Sequence, residues 1–80
     1  MKARVHIFLK PGVLDPQGQA VAHSLKHLGF DEVSDARQGK LIEIDLDTAD
    51  AEEAQRRVDD MCKQLLANPV IENYDIELSA

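Results

Sequence analysis

Tryptophan is absent, cysteine occurs once, and the aromatic side chains amount to two phenylalanines and one tyrosine. The single thiol, Cys62, cannot close an internal disulfide or supply a multi-cysteine zinc or iron–sulfur site. So few aromatics leave no stacking platform for single-stranded RNA, for which Phe8 alone is too little. No apolar run approaches the roughly 18 residues of a membrane span, and Met1-Lys2-Ala3-Arg4 leads into an alternating segment rather than a signal-peptide core. Cations are scarce as well. Nine Lys and Arg against 15 Asp and Glu leave a net charge of −6, a field that repels phosphate backbones and anionic lipid. The expectation is a cytoplasmic protein that binds neither nucleic acid nor membrane.

What is present is ordinary globular composition: 80 residues, 44% apolar and 30% charged, which reads as a single domain over residues 1–80. A chain of this size buries only about 60% of the surface its unfolded form exposes. With no disulfide to supplement that core, self-association or docking on a larger protein is the route left for hiding more surface.

Residues 2–10 alternate, with Val5, Ile7 and Leu9 on one side and Arg4, His6, Phe8 and Lys10 on the other, the pattern of a half-buried strand. Pro11-Gly12 stops it. Asp15 then stands as an N-cap with Pro16 at the first helical position, and the spacing predicts a helix to Leu28 with a buried stripe of Val21, Leu25 and Leu28 and a stop at Gly29. Residues 32–37 make a weaker strand candidate around Val33, and Gln38-Gly39 turns into a clean alternation over residues 40–47, so the two are expected to form a hairpin. Asp50 and Glu53 have capping-box spacing and open a second helix, whose core stripe is Ala54, Val58, Met61 and Leu65, with Ala51, Cys62 and Leu66 beside it. On its outer face, Glu52 with Arg56, Glu53 with Arg57 and Asp59 with Lys63 are acid-then-base pairs four apart. Asn68-Pro69 ends that helix, and Tyr74, Ile76 and Leu78 alternate along a last strand.

Strand, helix, strand, strand, helix, strand is the order of an α+β, ferredoxin-like βαββαβ sandwich: one four-stranded antiparallel sheet with two helices on one face. The opposite face would carry Arg4, His6, Phe8, Lys10, Leu41, Glu43 and Asp45. Phe8 and Leu41 are apolar on a face that should be wet, which fits self-association there.

Chemistry-bearing residues are few. Cys62 sits within an apolar helix stripe near Asp59 and Asp60, surroundings that disfavour a thiolate. His23 and His27 have the four-residue spacing that aims two imidazoles at one metal, yet no third ligand is identifiable, and His6 is alone among charged strand neighbours. Turn chemistry and helix capping account for the glycines and prolines of residues 10–18 without a bound phosphate. Val13 and Leu14 are less well explained, since branched apolar residues in an exposed turn usually meet something. Arg37 and Lys40 likewise flank Gly39 at a tight turn of an acidic chain. No nucleophile with an orienting base and no pair of isolated carboxylates is present, so no catalytic or metal site is expected and the chain should act by contact.

Lys10-Pro-Gly-Val-Leu-Asp-Pro-Gln-Gly18, Leu28-Gly29-Phe30, Val33, Arg37-x-Gly39-Lys40, Met61-Cys62-x-x-Leu65-Leu66-Ala-Asn-Pro-Val-Ile-Glu72 and Tyr74 together resemble the PurS family, with matching order and spacing over nearly the whole chain. One departure is Pro11, where members often carry a polar or charged residue. The resemblance implies the small subunit of phosphoribosylformylglycinamidine synthase, a glutamine-hydrolysing ligase of purine biosynthesis. In it the PurL subunit holds the ATP-dependent synthetase site, PurQ releases ammonia from glutamine, and PurS dimers or higher oligomers bridge the two. It implies no cofactor on this chain; ATP, magnesium and glutamine would belong to the partner subunits. The residues expected to meet PurL or PurQ are Val13, Leu14, Asp15, Gln17, Arg37, Gly39, Lys40, Asn68, Pro69, Val70, Ile71 and Glu72, with Phe8 and Leu41 expected in self-association. A small-metabolite-sensing regulatory module of similar topology is the alternative, and it would need a ligand groove between paired domains.

Overall fold

The computed structural model describes residues 1–80. Its elements are β1 (Lys2–Leu9), α1 (Pro16–His27), β2 (Lys40–Asp45), α2 (Ala51–Met61) continuing into one π-helical turn (Cys62–Leu66), and β3 (Glu72–Ser79). The sheet is antiparallel in the order β2-β1-β3. Pairing of Val5 with Ile42 on one side and Ile76 on the other aligns the three alternating patterns, so Ala3, Val5, Ile7, Ile42, Ile44, Tyr74, Ile76 and Leu78 share one face. No helix is long and apolar enough to cross a membrane.

α2 covers that face over β1 and β3. Ala54, Val58 and Cys62 are fully buried, Val58 and Cys62 pack with Val5 and Ile7, and Met61 and Leu66 fill in beside them. Asp50 caps the helix by accepting from the N–H groups of Glu52 and Glu53, but its own N–H donates to Thr48 Oγ1 rather than back to Glu53, so the capping box is only half made. The helix does not run on regularly to Asn68. Ala67 N–H reaches back five residues to the Cys62 carbonyl, and the extra residue in that turn rotates the register. Cys62 and Ala67 therefore face the core, and Leu65, expected in the stripe, is 84% exposed. Of the three acid–base pairs on the outer face only Asp59 with Lys63 closes, at 2.9 Å.

The four-stranded sheet with two covering helices is corrected in two respects. Residues 32–37 form no strand, and α1 does not lie on the sheet. The chain instead leaves the end of β1, runs out along α1, turns at Gly29 and returns beside the helix to enter β2. A Schellman motif closes α1, with Phe30 N–H on the Leu25 carbonyl and Gly29 N–H on that of Lys26. The returning backbone is satisfied by side chains rather than by a ladder: Asp35 accepts from Ala36 N–H and Asp15 from Gln38 N–H. The result is an arm, residues 15–38, projecting from a small body. The molecule is 48 Å long with a radius of gyration of 15.9 Å, against about 12 Å for a compact chain of this length. Only Gly18 and Ala22 of α1 are buried, and the predicted stripe residues Val21 and Leu28 are exposed.

Candidate functional site

The three loops singled out in the sequence meet at one end of the sheet, where β1 finishes and β2 and β3 begin. Lys10 N–H donates to the Ile71 carbonyl at 2.8 Å, which joins the first loop to the third, and Val13 N–H turns back onto the Lys10 carbonyl. Asp15 joins the first loop to the second. One carboxylate oxygen accepts from Gly18 N–H at 2.8 Å as the N-cap of α1, and the other accepts from Gln38 N–H at 2.9 Å. These bonds, from Gln38 and then Gly18, with Arg37 nearby, hold the Asp15 carboxyl below its usual range despite its burial. Gln38 Nε2 also donates to Gln17 Oε1.

Arg37 is therefore no free cation at a turn. Its Nη2 donates to the carbonyls of Leu9 and Lys10, at 3.1 and 3.3 Å, and its Nε lies 3.9 Å from Asp15. It clamps the end of β1 to the base of the arm. Lys40 is looser: it is exposed, and its Nζ lies 3.9 Å from Glu72. Glu72 has a second task, accepting from Asn68 N–H at 2.7 Å, while Asn68 Oδ1 accepts from Val70 N–H, so the Asn68-Pro69 turn is held by its own side chains. Two glycines permit the close approach of these segments. A Cβ on Gly39 would lie 2.5 Å from the Ile7 carbonyl oxygen, and one on Gly18 would lie 2.4 Å from that of Ala36.

Between these loops opens a cleft of about 520 Å³, with Phe8, Asp15, Gln17, Lys40 and Glu72 on its walls. Its polar groups bond to one another and leave no buried side-chain donor or acceptor unpaired. Around the cleft, Leu14 is 65% and Val70 78% exposed, with Ile71 partly so and Val13 half-buried. Leu41 stands opposite His6 on the sheet face away from α2, next to Phe8, and both are exposed. Farther along that face Glu43 pairs across strands with Lys2 and Arg4, and His6 Nε2 lies 3.7 Å from Glu77.

Other chemistry-bearing groups lie elsewhere. His23 and His27 stack on the arm with ring centroids 6.0 Å apart, and no group of three His, Cys, Asp or Glu side chains gathers to hold a metal. Cys62 is buried, and burial together with the Asp59 charge pushes its thiol up. Sequence reasoning missed the bond from Tyr74 Oη to Asp59, 2.5 Å long, which fastens β3 to α2. It holds Asp59 below its usual range, with help from Lys63, and pushes Tyr74 up to about 12. The available signal was a tyrosine on a core face, whose hydroxyl needs a partner.

Residues 2–80 match the family model described as PurS: Phosphoribosylformylglycinamidine (FGAM) synthase. The chain is 51% identical over 77 residues to phosphoribosylformylglycinamidine synthase subunit PurS of Synechocystis, an alignment covering 96% of this chain and 77% of that one. Its fold superposes on Bacillus subtilis PurS with a TM-score of 0.87 at 43% identity, covering 99% of this chain and 98% of that one. A chain of PurLQS from Thermotoga maritima superposes with a TM-score of 0.86 at 29% identity, covering 95% of this chain and 93% of the other. The α+β fold of two helices and a three-stranded antiparallel sheet thus matches that of solved PurS structures.

Proposed function

The chain belongs to the PurS family, and from that membership we propose how it serves phosphoribosylformylglycinamidine synthase, the purine-biosynthetic enzyme of which it is a subunit. Its role is to hold the PurL synthetase and the PurQ glutaminase in register, so that ammonia released from glutamine converts formylglycinamide ribonucleotide to the formylglycinamidine ribonucleotide with ATP. Ammonia that escapes into water is protonated and loses its nucleophilic lone pair, so a subunit that fixes the relative placement of two active sites contributes without touching substrate. ATP, magnesium and glutamine are handled by the partner subunits.

The observation that carries this reading is the convergence of three loops at one end of the sheet, internally braced yet presenting Leu14, Val70 and Ile71 to solvent. A rigid platform with exposed apolar residues and one loosely held cation, Lys40, is built for a protein partner. Arg37 belongs to the bracing beneath that platform. Phe8 and Leu41, on the open sheet face, offer a contact for self-association at one end of it, while Lys2, Arg4 and Glu43 at the other end pair with one another. A metabolite-sensing regulatory role finds no support in the similarities to known proteins.

The test is reconstitution with PurL and PurQ. The subunit alone, given formylglycinamide ribonucleotide, ATP and ammonia, should turn over nothing. Val70→Asp with Lys40→Ala should lower glutamine-dependent turnover of the complex far more than turnover supported by added ammonia. Unchanged assembly and turnover in that variant would remove the loop platform from the interface.

A further inference from the structure

α1 shares no packed interface with any strand or with α2, and only Gly18 and Ala22 of it are buried, so no apolar core sets the direction of the arm. One carboxylate does. Asp15 is 6% exposed, and its two oxygens serve different segments: Oδ1 accepts from Gly18 N–H in the first turn of α1, and Oδ2 accepts from Gln38 N–H, 23 residues on in the returning chain. Arg37 completes the joint from the other side, with Nε 3.9 Å from the same Oδ2 and Nη2 on the carbonyls of Leu9 and Lys10. The end of β1, the start of α1 and the entry to β2 thus meet on one ion pair. Gly18 lets them close, since a Cβ there would strike the Ala36 carbonyl oxygen and lie 2.7 Å from Asp15 Oδ2. An N-cap alone needs no charge, because serine, threonine and asparagine cap as well. A buried carboxylate is costly unless its oxygens are satisfied, and here the second oxygen is spent on tying the arm to the chain that leaves it.

We infer that Asp15 and Arg37 are positioning residues of the amidation reaction: they set the direction of the arm against the loop platform and, through it, the placement of the glutaminase relative to the synthetase. This rests on the bridging role proposed above and adds which bonds make the bridge stiff. Leverage is the physical reason. The molecule is 48 Å long, and a swing of about 10° at the base carries the far end of a helix about 18 Å long by about 3 Å. Misplacing reacting groups by about 1 Å is enough to cost about 100-fold in rate, and ammonia that misses its acceptor site is protonated in water. The same joint braces the platform, because Arg37 holds the Leu9 and Lys10 carbonyls and Gln38 Nε2 reaches Gln17 Oε1. Arm and platform therefore cannot turn independently while it is closed.

Asp15→Asn separates the two duties of the carboxylate. Asparagine keeps an oxygen for Gly18 N–H and still caps α1, but it turns an amide NH₂ toward Gln38 N–H and removes the charge facing Arg37. Spin labels at Ser24→Cys on the arm and Arg56→Cys on α2, both exposed while the native Cys62 is buried, report the arm's direction. Labelled chains are diluted into an excess of unlabelled ones, so that each distance lies within one chain. Asp15→Asn should leave circular dichroism unchanged and broaden or shift the label distance, and Gly18→Ala, which favours helix yet wedges α1 from Ala36, should shift it too. An unmoved distance in both variants overturns the joint. In the complex reconstituted with PurL and PurQ, the parent should consume about one glutamine per ribonucleotide amidated, and Asp15→Asn should raise that ratio at least about twofold while still binding its partners. The parent's ratio with a displaced arm overturns the positioning role, and loss of binding overturns it by placing Asp15 in the contact itself. If the complex makes product from glutamine equally well without this subunit, the bridging role fails instead.

Discussion

The body, made of the sheet and α2, and the arm, residues 15–38, are built on opposite principles. The body encloses Ala3, Val5, Ile7, Ala54, Val58, Cys62 and Ala67, whereas the arm buries only Asp15, Gly18 and Ala22 and leaves its large apolar residues outside. Both are amphipathic in sequence. The difference lies in whether the apolar face finds its partner within the chain. In the body, stability is settled by hydrophobic contacts within the chain; in the arm, backbone bonds and caps fix the shape and the large apolar residues stay exposed.

The sharpest expression of this division is a core truncation. Ile7→Ala removes a fully buried side chain at the centre of the sheet and should cost about 2–5 kcal/mol in urea unfolding. A loss below about 1 kcal/mol would show that the body is not closed. Next comes the seam between body and arm. Gly39→Ala would push a methyl group against the Ile7 carbonyl oxygen and should cost about 1–3 kcal/mol, with the arm still helical by circular dichroism.

Within the body, Tyr74→Phe should cost about 1 kcal/mol by removing the bond that ties β3 to α2. Its pH dependence has a definite sign. Tyr74 titrates higher in the folded state, near 12, so its contribution is complete below the ordinary phenol value of about 10 and is lost as pH rises toward 12. Asp59 titrates lower when folded, so its contribution is present above about pH 4 and disappears as the carboxylate is protonated below that. Stability measured from pH 7 to 11.5 should fall less in the Tyr74→Phe variant than in the parent. On the arm the effect should nearly vanish: Leu28→Ala, at a residue 74% exposed, should change the unfolding free energy of a dilute monomer by less than about 0.5 kcal/mol. A larger loss would mean that the arm is packed on its own body.

Much of this was legible along the chain. Asp15 and Pro16 mark the start of α1, Gly29 its end, and the alternation of residues 2–10, residues 40–47 and the segment holding Tyr74, Ile76 and Leu78 places three strands with the correct inner faces, whereas the weaker pattern of residues 32–37 forms none. Those features depend on neighbours within a few residues. The loops around Leu14, Gly39 and Asn68 also stood out, because apolar residues or paired cations in turns lack a local reason. Roles that depend on distant neighbours were not legible. Arg37 reads as an exposed turn cation, yet it donates to carbonyls 27 and 28 residues away, and Leu65 reads as core until the π-helical turn rotates it outward.

The sequence by itself determined the three amphipathic strands, the two capped helices and the family, because periodicity, caps and turn residues act over short stretches of chain. Only the tertiary structure decided where α1 goes. An apolar stripe at helical spacing states that a helix will be covered and does not say by which chain, and the bonds that point the arm away from its own sheet join Asp15 to Gln38 and Arg37 to Leu9 across more than 20 residues.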